Sequence, residues 1–211
     1  MLRAATLPLT AARPATLDDP DSELTARAAK GDSTAFTNLV RRHQRMVFHI
    51  ALAVLHDPDL AMDAAQDTFI RLHANLKGFR GDAPLRTWLS RIALHVAVDH
   101  RRKTRRRHEQ VVEESALARF EDPAALPDEN LAHADLKRRM LGAFEKLNEA
   151  QRTILTLRDL EGLAYAQIAK VLRIPVGTVM SRLFYARRAL KALLEVFDDS
   201  AAEIEGMQRA G

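Results

Sequence analysis

The chain has 211 residues and a formal net charge of +4, so its length allows one large domain or two small domains of about 100 residues each. The absence of cysteine excludes disulfides, thiol chemistry and zinc sites built from cysteine. Few aromatic residues and only eight glycines indicate an all-α fold, and no apolar stretch approaches the ~20 residues of a membrane-spanning helix.

The charged residues are distributed unevenly along the chain. Residues 86–108 contain eight Lys/Arg and a single carboxylate, whereas residues 109–135 contain eight carboxylates and a single arginine. Blocks of opposite charge in one chain are typical of separate surfaces with separate partners.

Four helices are predicted in the N-terminal half. A short one lies between Asp21 and Gly31, and either Asp32 or Ser33 is the N-cap of the second. Asp57 followed by Pro58 gives the third helix a cap and then a proline at its first position.

The segment from Lys77 to Pro84 is predicted to be a loop, because it contains two glycines and a proline. A fourth helix follows over about 85–107, with Trp88 on its apolar side. Residues 108–130 mix acidic residues with two prolines and show weak periodicity, which predicts a linker.

Beyond the linker, a helix is predicted over about 131–147. Asn148 and Gln151 then form a capping pair for a helix that ends near Gly162. Two short apolar stripes of helical spacing follow, over 165–172 and 179–193, separated by Arg173-Ile-Pro175. Two short helices that meet at a tight break form a helix-turn-helix.

The second helix of this motif carries hydroxyls and cations on the side away from its apolar stripe. Such a face suits the major groove of DNA, since hydroxyls and arginine bind phosphates and base edges. A solvated amphipathic helix would show a similar pattern, but the preceding short helix favours DNA reading. The candidate DNA-binding residues are Thr178, Ser181, Arg182, Tyr185, Arg187 and Arg188.

Several segments resemble one known family, the extracytoplasmic-function (ECF) group of bacterial RNA polymerase sigma factors. In the N-terminal half these are DAAQDTFIR (63–71) and FRGDAPLRTWLSRIA (79–93). In the C-terminal half they are LNEAQRTILTLRDLEGL (147–163) and IPVGTVMSRL (174–183). The two blocks occur in the order expected for that family.

The resemblance implies two small all-α domains. Sigma region 2 would occupy residues 22–107 and sigma region 4, with the helix-turn-helix, residues 131–197. A flexible acidic linker over 108–130 would join them, with a disordered tail over 1–21 and a second tail over 198–211.

The resemblance also implies what each part binds. Region 2 would dock on core RNA polymerase and open the minus-ten promoter element, and region 4 would read the minus-thirty-five element. Expected polymerase-binding residues are Asp63, Gln66, Asp67 and Arg71. Expected DNA-binding residues of region 2 are Gly78, Phe79, Arg80, Gly81, Asp82, Arg86, Trp88, Arg91, Arg101 and Arg102.

Trp88 has two interpretations. It packs in the core against Phe79 and Ile92, which is the favoured one, or it stacks directly on a base.

Four residues depart from the family pattern. Ala164 stands where a hydroxyl N-cap is usual, which removes ~1 kcal/mol of capping. Arg173 replaces a turn glycine and would be strained at a positive φ. Met180 stands in place of a lysine, and His95 in place of an asparagine.

The predicted function is therefore an alternative sigma factor, and the competing class is a stand-alone helix-turn-helix regulator that binds duplex DNA. An enzyme is not expected, because GxxxxGK[ST], HExxH and GxSxG motifs are absent from the sequence. No cofactor and no metal are expected. The expected partners are core RNA polymerase, promoter DNA and an anti-sigma factor, in the cytoplasm and without membrane insertion.

Overall fold

A computed structural model of the chain describes residues 19–108 and 131–209, which form two helical domains. The N-terminal domain (19–108) contains α1 (Ser22–Ala29), α2 (Ser33–Leu55), α3 (Pro58–Asn75) and α4 (Leu85–His108). The C-terminal domain (131–209) contains α5 (Leu131–Lys146), α6 (Glu149–Leu155), α7 (Tyr165–Leu172) and α8 (Val176–Arg209). The structure has no strand within these ranges, which confirms the all-α prediction.

The predicted helix starts are confirmed by their capping hydrogen bonds. The Asp32 carboxylate accepts from the Ala35 backbone N–H at 2.9 Å, and this bond lowers the pKa of Asp32. Asp57 accepts from the N–H of Leu60 at 2.9 Å. Asn148 and Gln151 form a reciprocal capping box.

The core of the N-terminal domain lies between α2, α3 and α4. Leu39, Leu72 and Leu89 are fully buried there, one from each helix. Burying each such side chain contributes about 1.5–3 kcal/mol relative to exposure. Within α2, the buried residues Leu39, Met46 and Ile50 recur at helical spacing, so the apolar pattern of the sequence determines which face of the helix is buried.

The folded part of the chain includes Asp19 and Asp21. The Asp19 carboxylate accepts from the Leu85 backbone N–H at 2.8 Å at the start of α4, and buried Asp21 contacts Arg42 and His43. The prediction of a disordered tail up to residue 21 is therefore wrong for these residues. Residues 1–18 and the predicted linker over 109–130 lie outside the described residues.

The recognition helix α8 is longer than predicted. It continues to Arg209 through residues that were expected to form a C-terminal tail. Residues 201–209 consist mainly of Ala, Glu, Met, Gln and Arg, which have high helix propensity, and the helix continues through Gly206.

The helix-turn-helix has the predicted form. α7 ends at Arg173, which adopts φ 55°, and the Ile174 N–H bonds back to the Ala169 carbonyl at 3.1 Å. The Pro175 carbonyl accepts from the backbone N–H groups of Thr178 and Val179 in the first turn of α8. The left-handed conformation confirms the predicted strain at Arg173, since glycine adopts it more easily.

The two domains pack against each other. α4 lies against α7 and α2 lies against α6. One cluster of buried side chains includes Ile50 and Leu89 of the N-terminal domain together with Leu155 and Ile168 of the C-terminal domain. None of the helices in the described part of the chain is long and apolar enough to cross a membrane.

Candidate nucleic-acid interface

The recognition helix presents the predicted polar face to solvent. Its opposite side is buried through Val179, Leu183 and Ala186. On the free side, Ser181, Arg182, Tyr185, Arg187 and Arg188 are exposed and Thr178 is partly buried. The structure therefore leaves the six candidate residues accessible, with Arg187 turned away from the other five toward Asp159.

Arg187 is the one member of this set that holds a carboxylate in the described structure. Its Nε lies 3.1 Å and its Nη2 2.5 Å from the Asp159 carboxylate oxygens, and this bidentate bond raises the pKa of Arg187. A phosphate at Arg187 would have to compete with Asp159, whereas Arg182 is exposed.

Sequence reasoning missed an apolar ridge beside the polar face. Val176, Met180 and Phe184 are 43%, 55% and 62% exposed and follow each other at intervals of four residues. The Phe184 ring contacts the Tyr185 ring edge-on, with centroids 5.4 Å apart. The sequence shows this ridge as a second apolar stripe, separate from the buried stripe of Val179, Leu183 and Ala186.

The start of α7 has half of a capping box. Gln167 Oε1 accepts from the Ala164 N–H at 2.8 Å, which is the glutamine part of that arrangement. Alanine has no side-chain acceptor, so the reciprocal bond that a hydroxyl residue makes cannot form. The predicted loss of capping at Ala164 is confirmed.

The loop before α4 forms one wall of a cavity of about 510 Å³ that we call the base pocket. Phe79 and Trp88 contact each other there with ring centroids 4.9 Å apart. Gly81 has φ 71°, a conformation that favours glycine. The pocket is lined by Gly78, Phe79, Arg80, Gly81, Asp82, Ala83, Thr87, Trp88, Arg91, Lys170 and Arg173.

Seven of the ten predicted region 2 residues line this pocket. The expected core packing of Trp88 is confirmed, whereas its stacking on a base stays a prediction. Trp88 packs against the core cluster and also lines the cavity. The sequence did not indicate that Lys170 and Arg173 of α7 complete the opposite wall, because nothing local shows that the two domains meet.

Arg86, Arg101 and Arg102 lie outside the pocket. Arg86 Nη2 donates to the backbone carbonyl of Glu161 at 2.5 Å and to its carboxylate at 3.0 Å. Arg101 forms an ion pair with Glu149. Arg102 is exposed. Two of these three arginines thus hold carboxylates of the C-terminal domain.

The predicted polymerase-binding residues of α3 divide into two pairs. Asp63 and Gln66 are exposed. Asp67 and Arg71 are partly buried and contact residues of α4. Asp67 bonds to His100 at 2.8 Å and Arg71 lies 3.4 Å from Asp99.

Sequence reasoning also missed two exposed apolar residues on α3. Met62 and Ile70, which are 49% and 66% exposed, flank Gln66 at intervals of four residues. Within residues 19–108 and 131–209, no group of three His, Cys, Asp or Glu side chains is placed to hold a metal ion.

Comparison with known proteins identifies both halves of the chain. Residues 39–107 match the family Sigma-70 region 2, and residues 137–190 match the family Sigma-70, region 4. These segments contain the base pocket loop and the helix-turn-helix.

Curated relatives match over most of their length. The RNA polymerase sigma-H factor of Pseudomonas aeruginosa is 36% identical over 183 residues, which is 84% of this chain and 95% of that protein. The ECF RNA polymerase sigma-E factor of Escherichia coli K12 is 36% identical over 176 residues, or 81% of this chain and 92% of that protein.

Solved structures agree on the fold. CnrH, solved in complex with the cytosolic domain of CnrY, is 28% identical with a TM-score of 0.60 and covers 83% of this chain and 97% of its own. The sigma factor RpoE of Bartonella quintana, solved with the anti-sigma factor NepR, has a TM-score of 0.63 at 23% identity over 76% of this chain and 97% of its own. The chain belongs to the ECF group of the sigma-70 family of RNA polymerase sigma factors.

Proposed function

We propose that this sigma factor binds core RNA polymerase through α3, opens the minus-ten element at the base pocket and reads the minus-thirty-five element with α8. The observation that carries the proposal is the presence of an exposed recognition face and an aromatic, cationic pocket in one chain of this family. The proposed role has no catalytic step of its own. Because it requires RNA polymerase, we place it in the cytoplasm.

Region 4 would read duplex DNA by two kinds of contact. Arg182 can bind the two acceptors of a guanine edge, and Ser181 can bond to a base or a phosphate. Met180 and Phe184 offer an apolar surface that fits thymine methyl groups. Together these contacts favour a site that contains both guanine and thymine in the major groove.

Region 2 would hold a base that has left the duplex. Unstacking a base costs a few kcal/mol, which contacts in a receptor must offset. The base pocket has the size of a small-ligand site, and Phe79 and Trp88 give it an aromatic wall. Arg80 and Arg91 line the same cavity and can bind the flanking phosphates.

The polymerase-binding surface is assigned to the exposed face of α3. We define this docking face as Met62, Asp63, Gln66 and Ile70, since these side chains are exposed on one helix. Asp67 and Arg71 act indirectly, because they hold α4 through His100 and Asp99. An exposed apolar pair flanked by polar residues is typical of a protein-binding surface.

A protein inhibitor is the third proposed partner. CnrH was solved bound to the cytosolic domain of CnrY, and we propose that an anti-sigma factor of this kind binds the present chain. Such a partner would have to cover the docking face or the DNA-binding surfaces.

The competing function, a stand-alone regulator, predicts DNA binding without polymerase. Co-purification with core RNA polymerase separates the two. The sigma factor should elute with core polymerase in size-exclusion chromatography and form a specific promoter complex only in its presence. Tight, sequence-specific binding to duplex DNA by the free protein, without association with polymerase, would contradict the proposal.

A further inference from the structure

A segment that precedes the family match holds the start of α4. Asp19, Pro20 and Asp21 lie before residue 39, where the match to Sigma-70 region 2 begins. The Asp19 Oδ2 atom accepts a hydrogen bond of 2.8 Å from the backbone N–H of Leu85, the first residue of α4. The contact therefore joins a segment outside the family match to the helix that borders the base pocket.

Asp19 supplies a cap that α4 lacks in its own sequence. The first N–H groups of a helix have no partner within the helix. Pro84 stands directly before α4 and has no side-chain acceptor, although its backbone carbonyl accepts from the N–H groups of Thr87 and Trp88. A carboxylate at this end also interacts favourably with the helix dipole. Asp19 is therefore an N-cap that comes from another part of the chain.

A tight turn fixes the Asp19 side chain. The Ser22 N–H donates to the Asp19 carbonyl at 3.0 Å, and the Asp21 N–H donates to Asp19 Oδ1 at 3.1 Å. Aspartate at the first position and proline at the second favour such a turn. One oxygen of the carboxylate thus closes its own turn while the other caps α4. We call residues 19–22 the strap.

The strap is anchored to α2 through a buried carboxylate. The side chain of Asp21 is only 3% exposed, and its Oδ2 lies 2.7 Å from Nε2 of His43. The Arg42 Nη1 atom donates to the other oxygen of Asp21 and to the Pro20 carbonyl. Because a buried charge is stable only when it is paired, these contacts hold the strap in one position on α2.

The first turn of α4 carries part of the base pocket. Thr87 and Trp88 line the cavity and follow fully buried Leu85 within one turn of the helix. The Trp88 ring contacts the Phe79 ring of the preceding loop. Helix ends without a cap fray, so the loss of the Asp19 bond should displace these two pocket residues first.

We propose that the strap positions the base pocket and that Asp19 is a positioning residue for recognition of the minus-ten element. The proposal rests on the proposed function of the pocket. Asp19 acts through the first turn of α4, where it holds Thr87 and Trp88 in place for a base that has left the duplex. The preference among minus-ten sequences then depends on a residue that does not itself line the pocket.

The effect of the strap on the pocket is tested by fluorescence, because Trp88 is the single tryptophan of the chain. Asp19→Ala removes the acceptor and should shift the Trp88 emission to longer wavelength and increase its quenching by acrylamide. Asp19→Asn keeps an acceptor oxygen and should behave as the wild type. Pro20→Gly keeps Asp19 but loosens the turn, so it should shift the emission in the same direction as Asp19→Ala.

The matched control is Asp57→Ala. Asp57 caps α3 by a bond of the same kind, from the Leu60 N–H at 2.9 Å. It lies at the end of α3 remote from the pocket loop, since a helix of 18 residues is about 27 Å long. This variant should lose stability without a change in Trp88 emission.

Circular dichroism shows whether each variant is folded. Wild-type emission and quenching in both Asp19→Ala and Pro20→Gly would overturn the strap. An equal change in Asp57→Ala would mean that any lost cap loosens the domain, which would overturn the assignment to Asp19.

Recognition is tested with holoenzyme assembled from core RNA polymerase and each variant. The probes are fluorescent single-stranded oligonucleotides in which each minus-ten position of a promoter used by the wild type is varied in turn. Asp19→Ala should reduce the preference for the best over the worst base by up to about fivefold, the factor that corresponds to one lost cap. Asp19→Asn should restore the preference, and Asp57→Ala should retain it.

Arg91→Ala, which removes a cation from the pocket wall, separates failure of the strap from failure of the pocket. If Arg91→Ala changes the base preference and Asp19→Ala does not, Asp19 is not a positioning residue and the pocket keeps its proposed function. If neither variant changes the preference, the proposed function of the pocket is wrong, and the role of Asp19 in recognition is wrong with it.

Discussion

The arginines of the two DNA-binding surfaces differ in the groups that already bind them. Arg182 is exposed on α8, Arg187 holds Asp159, and Arg86 holds Glu161. An exposed guanidinium can bind a base edge without breaking an ion pair, whereas the other two must first exchange a carboxylate for a phosphate. At the scale of single residues, Arg182 is therefore the best candidate for direct reading of sequence.

Replacing Arg182 tests this assignment. Arg182→Ala should weaken binding to the preferred minus-thirty-five duplex by about 1–3 kcal/mol, because a bidentate base contact is lost. Arg182→Lys keeps the positive charge but not the planar pair of donors. It should therefore lose most of the preference for the matched over the mismatched duplex. Fluorescence anisotropy with core polymerase present, on matched and mismatched duplexes, measures both. Wild-type affinity of Arg182→Ala for the preferred duplex would refute the contact.

We expect the stability of the folded protein to depend on pH through His56. Burial and the positive charge of Arg152 lower the pKa of His56 below its usual 6.5. The folded protein therefore binds this proton less readily than the unfolded chain, so stability is full above pH 6.5 and falls as the pH is lowered through that value.

The control for His56 is His56→Asn, because this position has φ 59° and asparagine tolerates that conformation. Urea unfolding at pH 8 and pH 5.5 should show a larger loss of stability in the wild type than in the variant. An equal loss in both proteins would show that His56 does not contribute.

At the scale of elements, we propose that α3 binds polymerase and that the loop before α4 recognises the minus-ten element. The proposed docking face of α3 is exposed, while Asp67 and Arg71 on the same helix contact α4. Exchanging the Gly78–Pro84 loop for that of a related sigma factor should change minus-ten preference without changing polymerase affinity. Unchanged promoter choice after the exchange would disprove the pocket assignment.

If the docking face binds core polymerase, its apolar residue Ile70 should contribute to that affinity. Ile70→Ser should weaken core polymerase binding about tenfold or more, because burying an isoleucine side chain contributes about 1.5–3 kcal/mol. The matched control is Leu160→Ser, which changes an exposed leucine of the C-terminal domain. Binding of labelled protein to core polymerase measures both affinities. Equal losses in the two variants would mean that the effect is not specific to α3.

The elements themselves could be predicted from the sequence because their signals are local. Asp32, Asp57 and Asn148 are caps, and their hydrogen bonds reach only three residues along the chain. The pairs that join elements could not be predicted. Arg86 and Glu161 are 75 residues apart in sequence, and no periodic pattern indicates that their surfaces meet. The contacts of Asp67 and Arg71 with α4 could not be predicted for the same reason, since exposure on a helix wheel does not reveal a partner on another helix.

At the scale of the whole molecule, the two domains form one packed unit in which the C-terminal domain closes the base pocket. Promoter elements that are separated along DNA require the same two domains to act apart. If the two domains bind these separate elements, as proposed, we expect the relation between them to change on promoter binding. The acidic segment over 109–130 joins them in sequence.

That segment lies outside the described residues and carries a prediction from the sequence. Its carboxylates act either as a spacer that self-repulsion keeps extended or, as the family resemblance implies, as a segment that occupies positively charged polymerase channels. If it occupies channels, replacing these residues with Ser or Gln at constant length should weaken holoenzyme formation and alter abortive products. If the variant keeps its polymerase affinity and its abortive products, the segment acts only as a spacer.

The central claim is that this chain gives RNA polymerase its promoter choice. Core polymerase should be incubated with genomic DNA in the presence and absence of the protein, and transcript starts mapped by sequencing. The account predicts new starts that share one minus-ten and one minus-thirty-five sequence, appear only with the protein, and lose the minus-thirty-five preference with Arg182→Ala. Starts that do not depend on the protein, or a shared duplex site without any new start, would contradict it.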